Sequence, residues 1–569
     1  MQEKSIVIWG SGKIGRGFIA DLFDEAGYRI TFVDANSSLI EQMQKNGSYS
    51  VMLAPSAQEQ SIRTIKCENV LHTQDTKIQQ ILAEASLIAL AVFAQALDDS
   101  LSHIAKAVEQ RATQVDTCPL DIMLCMNIVH PKQLVLEKLN RLLSERGKKF
   151  LDEQVGIIET LIIRMAVETP QEMKTQDPLR VLTNGYTPLI IDAQSCKTDL
   201  CSITGIRHAT NFEAEELRKL YTYNMIHAVY AYGGALYGLQ TIMEAIQTPM
   251  IQTLAVEALN EVKEALMCEY GFTEDEMNAW NADVLKNMAN PMLKDSIRRV
   301  GFDPIRKVAR QDRLTGPALL CRKHGIFPYA LYSAIACAYQ FFHEEDSSSK
   351  ELQTYVSQHG INNAIQTYSQ LFLERDALQT IAECYESIAK KKLTIDVHRD
   401  LYKAVYRAGF MNEKTYKGCA QCTVKAFIDV FHSIDEAVFD ACSAFCGGMG
   451  LCGDGSCGAY AGGLLIMGSF IGRRLQRLAD GDRQAKYQSF DMAQRLHDRF
   501  IATYGSTICR DIHTSIFGSA YCLRYKEERE AFEEVGAHVD KCTTVVAIAC
   551  VWIAQILLEE SVPLLLDGR

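Results

Sequence analysis

Ser5-Ile6-Val7-Ile8-Trp9-Gly10-Ser11-Gly12-Lys13-Ile14-Gly15 is the stretch that decides the fold. Its first five residues, nearly all apolar, read as a short buried strand. Apolar residues then recur at helical spacing, as Ile14, Phe18, Ile19, Leu22, Phe23 and Ala26. Strand, glycines and helix in that order turn G-x-G-x-x-G into a dinucleotide-binding turn. Gly10 permits the tight turn, Gly12 lets the backbone approach a pyrophosphate, and Gly15 lets helix and strand pack closely. Lys13 and Ile14 stand at the helix N-terminus, which offers N–H groups and a positive dipole end to the phosphates. Arg29-Ile30-Thr31-Phe32-Val33-Asp34 reads as the second strand and ends in an acid 19 residues after Gly15. Asp34 is there placed to accept hydrogen bonds from the adenosine ribose and to repel a 2′-phosphate, which favours NAD over NADP.

Two further apolar runs, Ser86 to Phe93 and Asp121 to Asn127, look like later parallel strands whose carboxyl ends line the same crevice. Asn127 is thus a candidate neighbour of the nicotinamide, although spacing alone fits a strand-end turn residue equally well.

Around this core, 569 residues allow about three or four domains. Hydrophobic residues make up 48% and charged residues 22%, enough for buried cores. A net charge of −12 argues against nucleic acid and against polybasic membrane binding. The first residues lead straight into the strand without a signal peptide's layout, so a soluble, cytoplasmic chain is expected. The uncharged stretch Gly455 to Gly472, with its six glycines, reads as a buried small-residue helix and not a membrane span. Glu344 to Lys350 reads as a solvated loop, and Ala389-Lys390-Lys391-Lys392 as a linker.

Beyond residue 211 the pattern becomes helical. Lys219, Asn224 and His227 stand out in an otherwise aromatic and apolar stretch, Lys219 to His227. At about 100° per residue, Asn224 lies roughly 140° and His227 roughly 80° around from Lys219, so the three can face one cavity. A desolvated lysine beside an oxidised nicotinamide loses proton affinity and can take a hydroxyl proton as hydride leaves the carbon. Asn224 and His227 would polarise the developing carbonyl oxygen. Lys-x4-Asn-x2-His matches the signature of the polyol-specific long-chain dehydrogenases, and residues 1–388 resemble the mannitol-1-phosphate 5-dehydrogenase members of that family. Gly15-Arg16-Gly17-Phe18-Ile19, Asn290-Pro291-Met292-Leu293-Lys294-Asp295, Pro304 to Lys307 and Asp312-Arg313-Leu314 carry the similarity as well.

The resemblance implies a Rossmann domain (1–197), a helical substrate domain (198–388), no metal, and interconversion of a hexitol phosphate with a ketose phosphate. It gives Lys219, Asn224 and His227 the roles derived above, and Glu159 a part in stabilising the substrate oxygen. The chain departs from the family at Met126, where an acid is usual, and at Ile162-Ile163-Arg164, where Val-Asp-Arg is usual. Those departures leave a uronate reductase or free-polyol dehydrogenase open, with Arg164 still a substrate-binding candidate. From Lys294 to Arg313, seven basic residues outnumber three acids. A local positive patch in an acidic chain fits phosphate capture, with Arg306 and Lys307 as candidates, and fits internal salt bridges equally well.

Of nineteen cysteines, ten fall after residue 385. Cys419-Ala420-Gln421-Cys422, Ser456-Cys457-Gly458-Ala459, Cys509 and Cys542 resemble the family named for its C-GCAxxG-C-C pattern, over about residues 400–560. That resemblance implies a redox-active module. Glycines beside cysteines permit a thiolate at a helix start, where its pKa falls. Cys419, Cys422, Cys457, Cys509 and Cys542 are therefore thiol-redox candidates, with Cys419 and Cys457 expected to be the most reactive. Converging thiolates could instead hold zinc or an iron–sulfur cluster. An NAD-sensing electron-transfer or metal-binding protein is the competing class. The predicted fold is an α/β Rossmann domain, then an all-α dehydrogenase domain, then an all-α cysteine-rich domain (389–569) that folds by itself.

Overall fold

The computed structural model describes residues 4–56, 58–114, 118–126, 131–167, 169–200, 202–293, 295–391, 393–432, 434–478, 481 and 483–566. The chain forms two compact units. One is Met1–Lys219 with Leu285–Lys294; the other is Leu220–Val284 with Asp295–Arg569.

In the first unit the described strands are β1 (Ser5–Trp9), β2 (Arg29–Asp34), β3 (Ser48–Leu53), β4 (Ser61–Lys66), β5 (Asn69–His72), β6 (Leu87–Leu90), β7 (Leu120–Leu124), β8 (Val155–Leu161), β9 (Ala166–Val167), β10 (Val181–Thr183), β11 (Leu189–Asp192) and β12 (Ile206–Ala209). The large sheet runs β12-β11-β8-β7-β6-β1-β2-β5. Its six strands from β8 to β5 are mutually parallel, and β11 joins β8 antiparallel. That is the dinucleotide-fold order, with the topological switch between β1 and β6. Both faces are covered, so β1 alternates between two cores. Ile6 and Ile8 pack with Phe18, Phe23 and Phe32, while Val7 and Trp9 pack with Ile88, Leu90 and Ile122. A second sheet, β4-β3-β10-β9, lies in the same unit.

The second unit is helical. The predicted linker proves to be helix: Arg375–Lys391 runs through Ala389 and Lys390. Lysines in a last turn complement the negative end of the helix dipole, so a basic run can close a helix as readily as it makes a linker. Lys392 lies outside the described residues. The predicted loop at 344–350 holds the start of another helix, Ser347–His359, because the Asp346 carboxylate caps it by accepting from Ser349 N.

The cysteine-rich segment does not stand apart from the helices before it. In the helix Arg399–Tyr416, Lys403 pairs with Glu257 at 2.6 Å and with Glu261 at 3.2 Å, and Arg407 pairs with Glu264. Tyr406 stacks on Phe327 with ring centroids 5.0 Å apart. Glu261 is buried and also accepts from Ala330 N and Leu331 N, at 3.0 and 3.2 Å, at the start of the helix Tyr329–Tyr339. The helix Cys542–Glu559 packs against Arg399–Tyr416, Cys419–Phe431, Gly458–Phe470 and Arg483–Tyr504. Among the described residues, Ala537–Glu559 is the one helix long and apolar enough to cross a membrane, and 78% of its apolar window is buried in the protein.

Candidate functional site

The nucleotide loop is built as its glycines require. Gly10 has φ 103°, and a Cβ there would meet Ala91 O at 2.3 Å. A Cβ on Gly15 would meet Gly10 O at 2.0 Å, whereas Gly12 faces open space. Only glycine fits the first and third positions, and the second leaves the backbone bare for a ligand. Asp34, at the carboxyl end of β2, accepts from Ser11 N at 2.7 Å and Asn36 N at 2.9 Å, which ties the acid to the loop. Gly12 and Lys13 are exposed and Ile14 is half-buried at the helix start. Exposed loop, helix start and acid together suit NAD, whose pyrophosphate and ribose diol need those three partners. Asn127 lies outside the described residues.

Lys219 ends the helix Phe212–Lys219, and the next five residues, Leu220–Asn224, form a π turn before the helix Met225–Leu236. The even 100° wheel drawn from the sequence does not hold across that turn. Pairing of i with i+5 puts residues five apart in register, and five is the interval from Lys219 to Asn224. Lys219, Asn224 and His227 are each half-buried. His227 Nε2 lies 3.0 Å from Asp295 Oδ2, and Arg299 Nε donates to Asp295 Oδ1 at 2.6 Å. Burial pushes the Asp295 carboxyl upward, but His227 and Arg299 outweigh it and hold the carboxyl below its ordinary value.

Each substrate candidate has a partner within its own unit. Glu159 stands beside Leu124, at the carboxyl end of β7, and accepts from Lys132 N at 3.3 Å. Arg164 is a structural cation and not a surface for substrate. It is buried, lies 2.5 Å from Asp21 Oδ2, donates to Tyr186 O and Gly17 O, and stacks over Phe18. Gly17 belongs to the π turn Gly15–Ile19, so Arg164 takes up a carbonyl in that turn. The basic patch is largely spent on itself. Arg306 pairs with Asp303 and Asp312, Arg310 with Glu374, Arg313 with Asp312, and Arg298 with Glu345. Lys307 is buried and donates to Val300 O and Phe302 O; burial and the nearby Arg313 and Arg306 push its pKa down to about 7. Lys294 lies outside the described residues.

Four of the five singled-out cysteines line one cavity of about 190 Å³ in the second unit: Cys419, Cys457, Cys509 and Cys542. Each stands at the start of a helix: Cys419–Phe431, Gly458–Phe470, Cys509–Phe517 and Cys542–Glu559. Glycine makes the meeting possible, since a Cβ on Gly458 would lie 2.3 Å from Cys419 Sγ. Backbone bonds clip two of the segments together, Cys457 N to Thr507 O at 2.8 Å and Cys509 N to Gly455 O at 3.0 Å. Cys422 is buried outside that wall. Burial pushes the Cys457 thiol up to about 11 and the Cys509 and Cys542 thiols up as well. The described cysteines are free thiols. Among the described residues no group of three or more His, Cys, Asp or Glu is arranged to hold a metal ion.

Comparison with known families joins these sites. The model of the mannitol dehydrogenase Rossmann domain matches residues 4–205, and that of the mannitol dehydrogenase C-terminal domain matches residues 211–401. The chain belongs to the mannitol dehydrogenase family. Residues 418–556 match a further model, described as "Putative redox-active protein (C_GCAxxG_C_C)". Two solved structures share the mannitol dehydrogenase fold. Mannitol 2-dehydrogenase of Pseudomonas fluorescens, in a ternary complex with NAD and D-mannitol, is 15% identical, with a TM-score of 0.55 over 68% of this chain and 92% of that one. A D-sorbitol dehydrogenase in substrate-free form is 14% identical, with a TM-score of 0.59 over 68% of this chain and 93% of that one.

Three residues of this mannitol dehydrogenase family chain escape a reading of its sequence. Asp295, which holds His227, is 68 residues away from it. Glu413 and Cys446 line the thiol cavity. Only Cys446 carries a local signal, the glycines Gly447 and Gly448 that follow it.

Proposed function

We propose that the chain is an NAD-dependent oxidoreductase that interconverts a hexitol phosphate with a ketose phosphate, Lys219 acting as the acid–base. The observation that carries this reading is the helix break at Lys219, followed at Asn224 and His227 by the other two members of the motif, with His227 held by Asp295. NAD, when bound, supplies the hydride acceptor. Gly10, Gly12 and Gly15 make room for its pyrophosphate, and Asp34 takes the ribose. Lys219 removes the hydroxyl proton, and Asn224 and His227 hydrogen-bond the same oxygen as it becomes a carbonyl. Asp295 orients the His227 ring through Nε2, leaving Nδ1 as the nitrogen that turns to substrate.

The internal pairing of Arg306, Arg310 and Arg313 favours a second reading, in which the substrate is an uncharged polyol. NADH oxidation measured with fructose 6-phosphate, fructose, tagaturonate and fructuronate separates the two, since a phosphate-specific enzyme turns over only the first. In the same assay Lys219→Ala should bind NADH normally and turn over at least about a hundredfold more slowly. Near-normal turnover would remove the lysine from its role.

A further inference from the structure

Cys446 belongs to none of the four positions of the C-GCAxxG-C-C pattern, yet it lines the same cavity. It follows the helix Glu436–Ala441 and sits under the cap of another. A Cβ on Gly418, which has φ 109° and caps the thirteen-residue helix Cys419–Phe431, would lie 3.5 Å from Cys446 Sγ. Cys446 Sγ thus lies at the N-terminal end of that helix, in the same cavity wall as Cys419. The wall is otherwise mainly apolar, with Leu451, Leu523, Phe532 and Val545. A cavity of about 190 Å³ holds roughly six waters at about 30 Å³ each, which is room for an organic body.

We propose that Cys446 is the attacking thiol of this cavity, that its substrate is a small uncharged organic disulfide, and that Cys419 closes the reaction. In the first step the Cys446 thiolate attacks one sulfur of R–S–S–R. A Cys446–S–S–R bond forms, the R–S–S–R bond breaks, and R–S⁻ leaves. In the second step Cys419 Sγ attacks Cys446 Sγ, the second R–S⁻ leaves, and the proton of Cys419 passes to a departing thiolate. Two electrons move from the protein dithiol to the substrate, giving a Cys419–Cys446 disulfide and two thiols.

The chemistry of the pair supports that order. The contact with Cys419 pushes the Cys446 thiol down against the opposing effects of burial and Glu413, while the same contact and burial push Cys419 up. The thiol with the lower pKa is the better attacker, and its protonated neighbour serves second. The charges around the cavity are paired only in part, since one oxygen of the buried Glu413 carboxylate has no hydrogen-bond partner among the described residues. Lys417 pairs with Glu533 at 2.5 Å, and His538 lies 2.9 Å from Glu533 and 3.5 Å from Glu413. Burial holds His513 neutral, down to about 4, and Arg529 donates to Leu523 O and Arg524 O. The mainly apolar wall suits an uncharged disulfide, which loses little hydration on entry.

The test uses the reduced full-length chain and 2-hydroxyethyl disulfide. In Cys419→Ser, peptide mapping should find the mercaptoethanol adduct on Cys446. Wild type should yield the Cys419–Cys446 disulfide, and Cys446→Ser should consume the probe at least about tenfold more slowly. Alkylation of unsubstituted protein by iodoacetamide gives a check that needs no variant: as pH rises, the Cys446 peptide should label before that of every other cavity cysteine. An adduct on Cys457, Cys509 or Cys542 with Cys446 untouched overturns the assignment, as does an unchanged rate in Cys446→Ser. Faster oxidation of wild type by hydrogen peroxide than by the disulfide overturns the substrate class.

Discussion

Asp34 accepts from two backbone N–H groups, which fixes its charge beside the glycine loop, where the proposed function has it meet the ribose. Asp34→Ala removes the repulsion toward a 2′-phosphate and should narrow the preference for NADH over NADPH, read as kcat/KM with each. A wild type that already prefers NADPH would overturn that role. Arg164 makes the opposite point about charge. Its side chain and that of Asp21 are each only 2% exposed. Arg164→Ala leaves Asp21 buried without its closest partner and should destabilise the protein by about 3–5 kcal/mol, seen as a lower urea midpoint. Were KM to rise with the midpoint unchanged, Arg164 would return to the substrate site. The glycine turn and the acid that ends β2 were legible because the strand–glycine–helix pattern and the 19-residue interval from Gly15 to Asp34 stand in the sequence itself, although Ala91 and Ser11, which these residues meet, are distant. The partners of Arg164 and His227 were not, because Asp21 and Asp295 are distant in sequence and periodicity carries no information about distant pairs.

Among the elements, β1, β2, β6 and β7 could be read from their apolar runs, whose double-sided burial leaves no polar face to interrupt them. The smaller sheet, β4-β3-β10-β9, could not, since β9 and β10 are two and three residues long and owe their existence to pairing. The π turn at Leu220–Asn224 also lay beyond a pattern that assumes an even helical period. The start of the helix Tyr329–Tyr339 offers a test at this scale. Burial outweighs Lys403 and raises the Glu261 carboxyl to about 7. The folded chain thus keeps a proton that an unfolded glutamic acid, with a pKa of about 4.3, would release. Stability from this site is present below about pH 4.3 and falls as pH rises toward about 7. Glu261→Gln, which carries no proton to lose, should flatten the slope of Tm against pH in that window. An unchanged slope would mean that Glu261 titrates normally.

At the scale of the whole molecule, the family resemblance located the dehydrogenase and the thiol pattern and implied three domains, the last beginning after residue 388. The second unit instead carries the helices after 220 and the cysteine-rich segment together. A chain cut after residue 388 loses Lys403 and Arg407 opposite Glu257, Glu261 and Glu264, and uncovers Phe327. It should melt below the full chain and expose apolar surface to a reporter dye; equal melting temperatures would restore the separable reading. The boundary was illegible because salt bridges and stacked rings between segments leave no trace in composition. The buried helix Cys542–Glu559 has a consequence for how the protein is made. Synthesis runs from the N-terminus, so this helix reaches solution after every helix it packs against. Until it emerges, Arg399–Tyr416 and Gly458–Phe470 present bare apolar flanks, and the cavity lacks its Cys542 wall. The nascent cysteine-rich segment is then a client for chaperones and its thiols are open to oxidants, so a ribosome stalled before residue 542 should yield a sticky, readily oxidised product.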